Sequence, residues 1–273
     1  MKKILSIVMA IVMCLGCLGL MASCGSDTKK TDSNKVSDSK SDLEYVKNKG
    51  TLVVGITDFE PMDYQDKNGN WIGFDADMAA AFAKSLGVKV EFVEIDWDSK
   101  EMELENKSID CVWNGMTLTD GVKASMDCSD AYCNNAQIVV LPKEKSGLYK
   151  TADACKDLKF AVEKGSAGED MAKANKFEYT AVQQQSDALM EVASGTSDAA
   201  IIDSLMAAAM VGEGTSYANL AYSIELNSEE YGVGFRKGSD LVAKINEFFK
   251  TSKENGETEK IAEKYGVQAA LAK

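Results

Sequence analysis

Histidine is absent from the 273-residue chain, and arginine occurs once, at Arg236. Without histidine, the sequence lacks the side chain that most often moves protons near neutrality and most often ligates metals. Basic residues are a minority, with 30 Lys and Arg against 43 Asp and Glu and a net charge of −13. That balance argues against nucleic acid, whose recognition demands basic patches, and suits solubility better than an anionic lipid surface. Beyond residue 24 the cysteines are Cys111, Cys128, Cys133 and Cys155, and none shows CxxC spacing. A metal site is therefore not expected, and no cofactor is implied. Cys111 lies in an apolar, strand-like run, which favours buried thiols over disulfides, although pairing cannot be deduced from sequence.

What is present begins at the N-terminus. Lys2 and Lys3 precede an apolar run over 4–20, and Met21-Ala22-Ser23-Cys24 follows it. Basic, apolar and small residues in that order predict a secretory signal over 1–23 rather than a retained membrane helix. A cysteine directly after the small residues resembles the lipobox of bacterial lipoproteins, which implies lipidation at Cys24 and an extracytoplasmic, membrane-anchored protein. Residues 24–41 are almost free of apolar side chains. Such a segment buries too little to offset its ordering entropy and reads as a flexible tether.

From 42 onward the pattern is α/β. Strands are expected at 51–57, 88–95 and 109–113, with a helix over 75–86 in which Met78, Phe82 and Leu86 recur at four-residue spacing. After Pro142 the rhythm restarts, with strands at 158–162, 179–183 and 198–203 and helices from 168, over 186–193 and from 205. Helix returns over 239–264. Two restarts predict two α/β lobes with parallel sheets. In such sheets ligands bind beyond the carboxyl ends of the strands. That singles out Asp58, Phe59 and Glu60, then Asn114, Gly115, Met116 and Thr117, then Glu163 with Ser166 and Ala167, and finally Asp203. Gly165 and Ser166 precede a helix, whose free N–H groups suit a ligand.

At these residues the chain becomes recognisable. GITDFEPMDY, GFDADMAAAFAKSLGV, IDCVWNGMTLT, SDAY, GTSDAAIIDS and EEYGVGFRKGSD, in that order, resemble the family 3 extracellular solute-binding proteins of polar amino-acid ABC importers. In GFDADM, Ala76 stands where a larger aliphatic is usual. The resemblance implies a two-lobed periplasmic-binding-protein-like (type II) fold, with two parallel or mixed sheets flanked by helices and a two-strand hinge. Lobe 1 is expected over 42–138 plus 231–273 and lobe 2 over 139–230, with crossings near 137–141 and 222–231. The lobes would close on a small-molecule ligand, and a monomer would present it to the permease subunits of the importer.

Carried over by resemblance, Phe59 would lie against the ligand, Gly115 and Thr117 would meet a carboxylate, and Asp203 would hold an ammonium. The departure is Val122, where the family's arginine clamps the α-carboxylate. A planar, permanently charged fork has no equivalent in valine. Ala167 likewise stands where a hydroxyl is common, and Glu163 where members vary with ligand. Acids without a clamp suit a cation, walled by Phe59, Trp97 and Trp113. Trp113 also fits a core position, and Lys123 is a weaker substitute clamp. The chain therefore reads as a non-enzymatic carrier of a cationic solute. Its rivals are a cyclohexadienyl dehydratase-like enzyme using Glu163, and a stand-alone sensor.

Overall fold

A computed structural model describes residues 41–273. The expected signal, Cys24 and the tether up to residue 40 lie outside them. Ser41, the last residue of the expected tether, caps a helix: its hydroxyl accepts from the Glu44 N–H at 3.0 Å.

In chain order the first elements are α1 (Asp42–Lys49), β1 (Thr51–Ile56), β2 (Tyr64–Gln65), β3 (Trp71–Ile72), α2 (Phe74–Leu86), β4 (Lys89–Glu94), α3 (Lys100–Glu105) and β5 (Cys111–Thr117). Then come α4 (Asp120–Ser125), β6 (Asp127–Cys128) and β7 (Cys133–Asn135). A second series follows: β8 (Gln137–Pro142), β9 (Lys159–Glu163), α5 (Ala167–Asn175), β10 (Glu178–Val182), α6 (Gln185–Ser194), β11 (Ala199–Asp203), α7 (Ser204–Met210) and β12 (Leu220–Glu225). The chain returns through β13 (Glu229–Phe235) to α8 (Leu241–Glu254) and α9 (Glu257–Tyr265).

One sheet has the order β4-β1-β5-β13-β6, with β7 also paired to β13; the other has β10-β9-β11-β8-β12. Both are mixed rather than purely parallel. β13 runs antiparallel to β5, β6 and β7, and β8 runs antiparallel to β11 and β12. The reason is connectivity. A strand that enters from the neighbouring lobe, without a crossover helix, meets its new sheet from the opposite end.

The chain passes between the sheets at Ala136 and again at 226–228. Residues 137–141, expected as a strand-like crossing, form a strand of the second sheet directly after the passage at Ala136. The two passages are bonded together: Gln137 N–H donates to Asn227 Oδ1 at 2.7 Å, and Leu226 N–H to the Gln137 carbonyl at 2.8 Å. Glu229 Oε1 collects Asn135, Gln137 and Thr117 at 2.7, 2.8 and 2.9 Å.

β1 and β5 are central and flanked on both sides, so their apolar runs carry no clean alternation. α2 lays Phe74, Met78 and Phe82 on the first sheet and ends at Gly87, whose φ of 76° is the left-handed cap. Trp113 is fully buried among Phe82, Tyr132 and Phe249. It belongs to the core and not to a ligand wall, because its face of β5 is covered by the helices. The lone arginine is also structural. Arg236 pairs with Asp42 at 3.1 Å and donates to the Leu104 and Ile109 carbonyls at 3.1 and 2.7 Å. The four cysteines described are unpaired, and three of them are buried.

Candidate functional site

The carboxyl ends of β1, β5, β9 and β11 converge on one cavity of about 160 Å³ between the two sheets. Phe59, Trp97, Asn114, Gly115, Met116, Thr117, Val122, Glu163, Ser166, Ala167 and Asp203 all line it. Asp58 and Glu60 do not. Asp58 lies near Glu94 and Asp187, and burial with their repulsion pushes its carboxyl above the usual range.

Several expected groups prove to be committed to the protein. The Asn114 amide donates to the Thr57 carbonyl and to Asp63 Oδ2 at 3.0 and 2.8 Å. The Thr117 hydroxyl donates to Glu229. The Ser166 hydroxyl donates to the Glu163 carbonyl at 2.7 Å and caps α5 at Glu169 N–H. What these positions offer is therefore shape and backbone rather than free side-chain donors. Gly115 shows why. Its φ is +54°, and a Cβ there would stand 2.5 Å from Phe59 Cε1, so the ring packs against bare backbone. Its N–H is held by Asp75 Oδ2 at 2.7 Å.

The acids dominate. Asp203, 4% exposed, accepts from Gln137 at 2.9 Å and Tyr231 at 2.6 Å, and from Asn135 and Gln185 as well. Burial and nearby Glu229 still push its carboxyl up to about 7. Glu163 is 3% exposed, and its Oε1 has no hydrogen-bond partner. Burial first, then Asp203, push its carboxyl up to about 8, against the pull of Lys100 and Gln185. A buried acid with an orphan oxygen is costly unless a cation or donor meets it.

Sequence reasoning missed Lys100 and Gln185. Gln185 opens α6 and clasps Asp203: it donates to the carboxylate, and its Oε1 accepts the Asp203 N–H at 2.8 Å. Lys100 opens α3, is 7% exposed and lines the cavity. Lys123, the expected substitute clamp, is exposed and does not line it.

The two sheets also meet around the cavity. Lys164 pairs with Asp98 at 2.6 Å, Gln184 donates to Glu94 at 2.8 Å, and Gln183 donates to Asp96. Lys100 Nζ donates to the Gly165 carbonyl at 3.1 Å. Gly165, with φ +70°, sits so close to Asp98 that a Cβ would stand 2.8 Å from its Cα.

Two mixed sheets joined by two short passages, with a polar cavity between them, define a two-lobed solute-binding protein. The particular family is shown by comparison: residues 52–268 match the bacterial extracellular solute-binding proteins, family 3, and the chain belongs to that family. It is 30% identical over 255 residues to the arginine-binding extracellular protein ArtP of Bacillus subtilis (strain 168), across 90% of this chain and 92% of that one. It is 33% identical over 236 residues to a probable histidine-binding protein of Neisseria gonorrhoeae, across 80% and 85% of the two chains. Among solved structures, it is similar to the ancestral amino acid-binding protein AncCDT-1, a precursor of cyclohexadienyl dehydratase. There the TM-score is 0.76 and the identity 35%, covering 82% of this chain and 99% of that one.

Proposed function

We propose that the protein captures a cationic small solute between its lobes and delivers it to the permease of an ABC-type importer. The observation that carries the cationic reading is the pair of buried acids, Glu163 and Asp203, on one cavity, with Glu163 Oε1 left unpartnered. A positive group of the solute meets that oxygen and lets both carboxyls ionise. Phe59 and Trp97 line the same cavity, and aromatic rings there suit a cation. The arginine and histidine named for the two relatives agree with this chemistry. Hinging takes place at Ala136 and 226–228, where each passage is shortest. A lipid on Cys24 and the polar segment after it hold the monomer outside the membrane, near its permease.

The protein acts as a carrier and not as an enzyme. Dehydratase chemistry on an acid such as arogenate calls for a fork to grip an anionic substrate, and Val122 offers none. Calorimetric titration with arginine, lysine, histidine, glutamine and glutamate tests the reading. Micromolar or tighter binding confined to the cations supports it, whereas tight binding of glutamate or glutamine overturns it. Turnover of arogenate would restore the enzyme.

A further inference from the structure

We infer that Lys100 is the carboxylate receptor of the cleft, supplying from α3 the positive charge that Val122 does not, and so sets the solute class to one bearing a carboxylate as well as a cation. This inference rests on the cationic reading above. Among the residues lining the cavity, Lys100 is the one cation. An ammonium has three donors. Two of them go to the Trp97 and Gly165 carbonyls, each at 3.1 Å. The third has no protein partner, although the group lies 4.7 Å over the Trp97 ring and is almost wholly buried. A buried donor is left unmade only at a cost, and a ligand removes that cost.

The opposite charge is in the same state. Glu163 lies close enough for its charge to act on Lys100, and its Oε1 is equally without a partner. The empty cavity thus holds one uncommitted positive donor and one uncommitted negative acceptor. A solute with a carboxylate and an ammonium satisfies both at once; a simple amine satisfies only the acid and sets its charge against Lys100. Gly165, whose carbonyl Lys100 holds, leads directly into α5, where Ala167 also lines the cavity. The N-terminus of that helix adds positive potential beside the ammonium. The same lysine therefore touches both the cavity and the facing lobe. Burial pulls its ammonium below the usual lysine range, and Glu101, Glu163, Asp98 and Asp170 oppose that pull.

The test compares each amino acid with its own decarboxylated amine: arginine with agmatine, lysine with cadaverine, histidine with histamine. Titrations use the mature protein as wild type, Lys100→Met and Lys100→Arg. The expected result is at least a 100-fold preference of the wild type for the carboxylate-bearing member. That ratio should fall below about fivefold in Lys100→Met and be largely restored in Lys100→Arg. Wild type that binds an amine as tightly as its amino acid overturns the inference, as does a Lys100→Met variant that keeps the preference. Should no member of any pair bind, the cationic reading fails instead. The cargo retained on purification, identified by mass spectrometry, then tests Lys100 by itself, because a cargo without a carboxylate refutes it. Thermal melts of each variant separate a folding defect from a changed ratio.

Discussion

Replacing Glu163 with glutamine tests the site at its most strained group. Glu163 is buried, one oxygen is unpartnered, and its carboxyl stands at about 8 in the empty protein. Lys100 pulls it down, while Asp203 and Asp187 push it up. A cation binds the ionised form, so at pH 6 capture must first remove a proton from a group about two units above the solution pH. At about 1.4 kcal/mol per unit, that costs about 3 kcal/mol, or about 100-fold in affinity. Affinity for arginine should therefore rise about tenfold per unit from pH 6 toward pH 8 and then level off. Asp203, at about 7, adds a second proton to the steep part below neutrality.

In Glu163→Gln the rise above pH 7 disappears, and affinity at pH 8 falls about 100-fold, the scale of a lost charged hydrogen bond. Stability moves the other way. A carboxyl whose folded pKa is raised contributes stability below its unfolded value, near 4.5, and loses it as pH climbs through about 8. The empty wild type should thus melt higher at pH 5 than at pH 8, and the glutamine variant should show a smaller difference. Calorimetry in two buffers of different ionisation enthalpy, together with melts across that range, reads both effects. A dissociation constant unchanged from pH 6 to 8 in the wild type, or an equal slope in the variant, refutes the reasoning.

Other perturbations follow from the same geometry. Gly115→Ala forces a Cβ to within 2.5 Å of Phe59 at a φ of +54°; urea unfolding should show a loss of about 1–3 kcal/mol, with binding weakened more than tenfold. Arg236→Met removes the 3.1 Å pair with Asp42, the donors to the Leu104 and Ile109 carbonyls and the 3.6 Å approach to the fully buried Asp110, which keeps Lys49 at 2.7 Å. A loss of about 3–5 kcal/mol is expected, with solute affinity of the folded fraction within twofold, since Arg236 is absent from the cavity wall. Asp98→Asn breaks an ion pair whose side chains are 63% and 31% exposed. Stability should change by less than about 1 kcal/mol, and stopped-flow release of solute should stay within about twofold; a markedly faster release counts against a seam whose polar partners water replaces evenly.

Much of this architecture is legible in the residues. Short apolar runs ending in Asp58-Phe59, Asn114-Gly115, Glu163 and Asp203 announce strands whose ends face a ligand, because parallel sheets place loops there. Trp113 and Asn114 carry no such signal. Both faces of β5 are buried, so alternation cannot say which residue faces the cleft and which the core. Gln137–Pro142 reads equally well as a crossing or a strand, since both are extended and apolar. Lys100 left no signal at all. In α3 the lysine points inward and Met102 is 53% exposed, the reverse of what hydrophobic patterning expects. Only the facing lobe, which supplies the Gly165 carbonyl, makes sense of that inversion, and no local window of sequence contains it.

The seam between the lobes has a consequence for release. Its polar contacts described above are an ion pair, two amide-to-carboxylate bonds and one lysine-to-carbonyl bond, and three of the four touch solvent. Water can replace each of these partners almost evenly as the seam parts, whereas an apolar seam would have to be wetted at full cost. Opening therefore meets little resistance of its own, and the residence time of the cargo is governed by the cargo. Once the solute's charges have found better partners elsewhere, none of these four contacts holds the jaws shut.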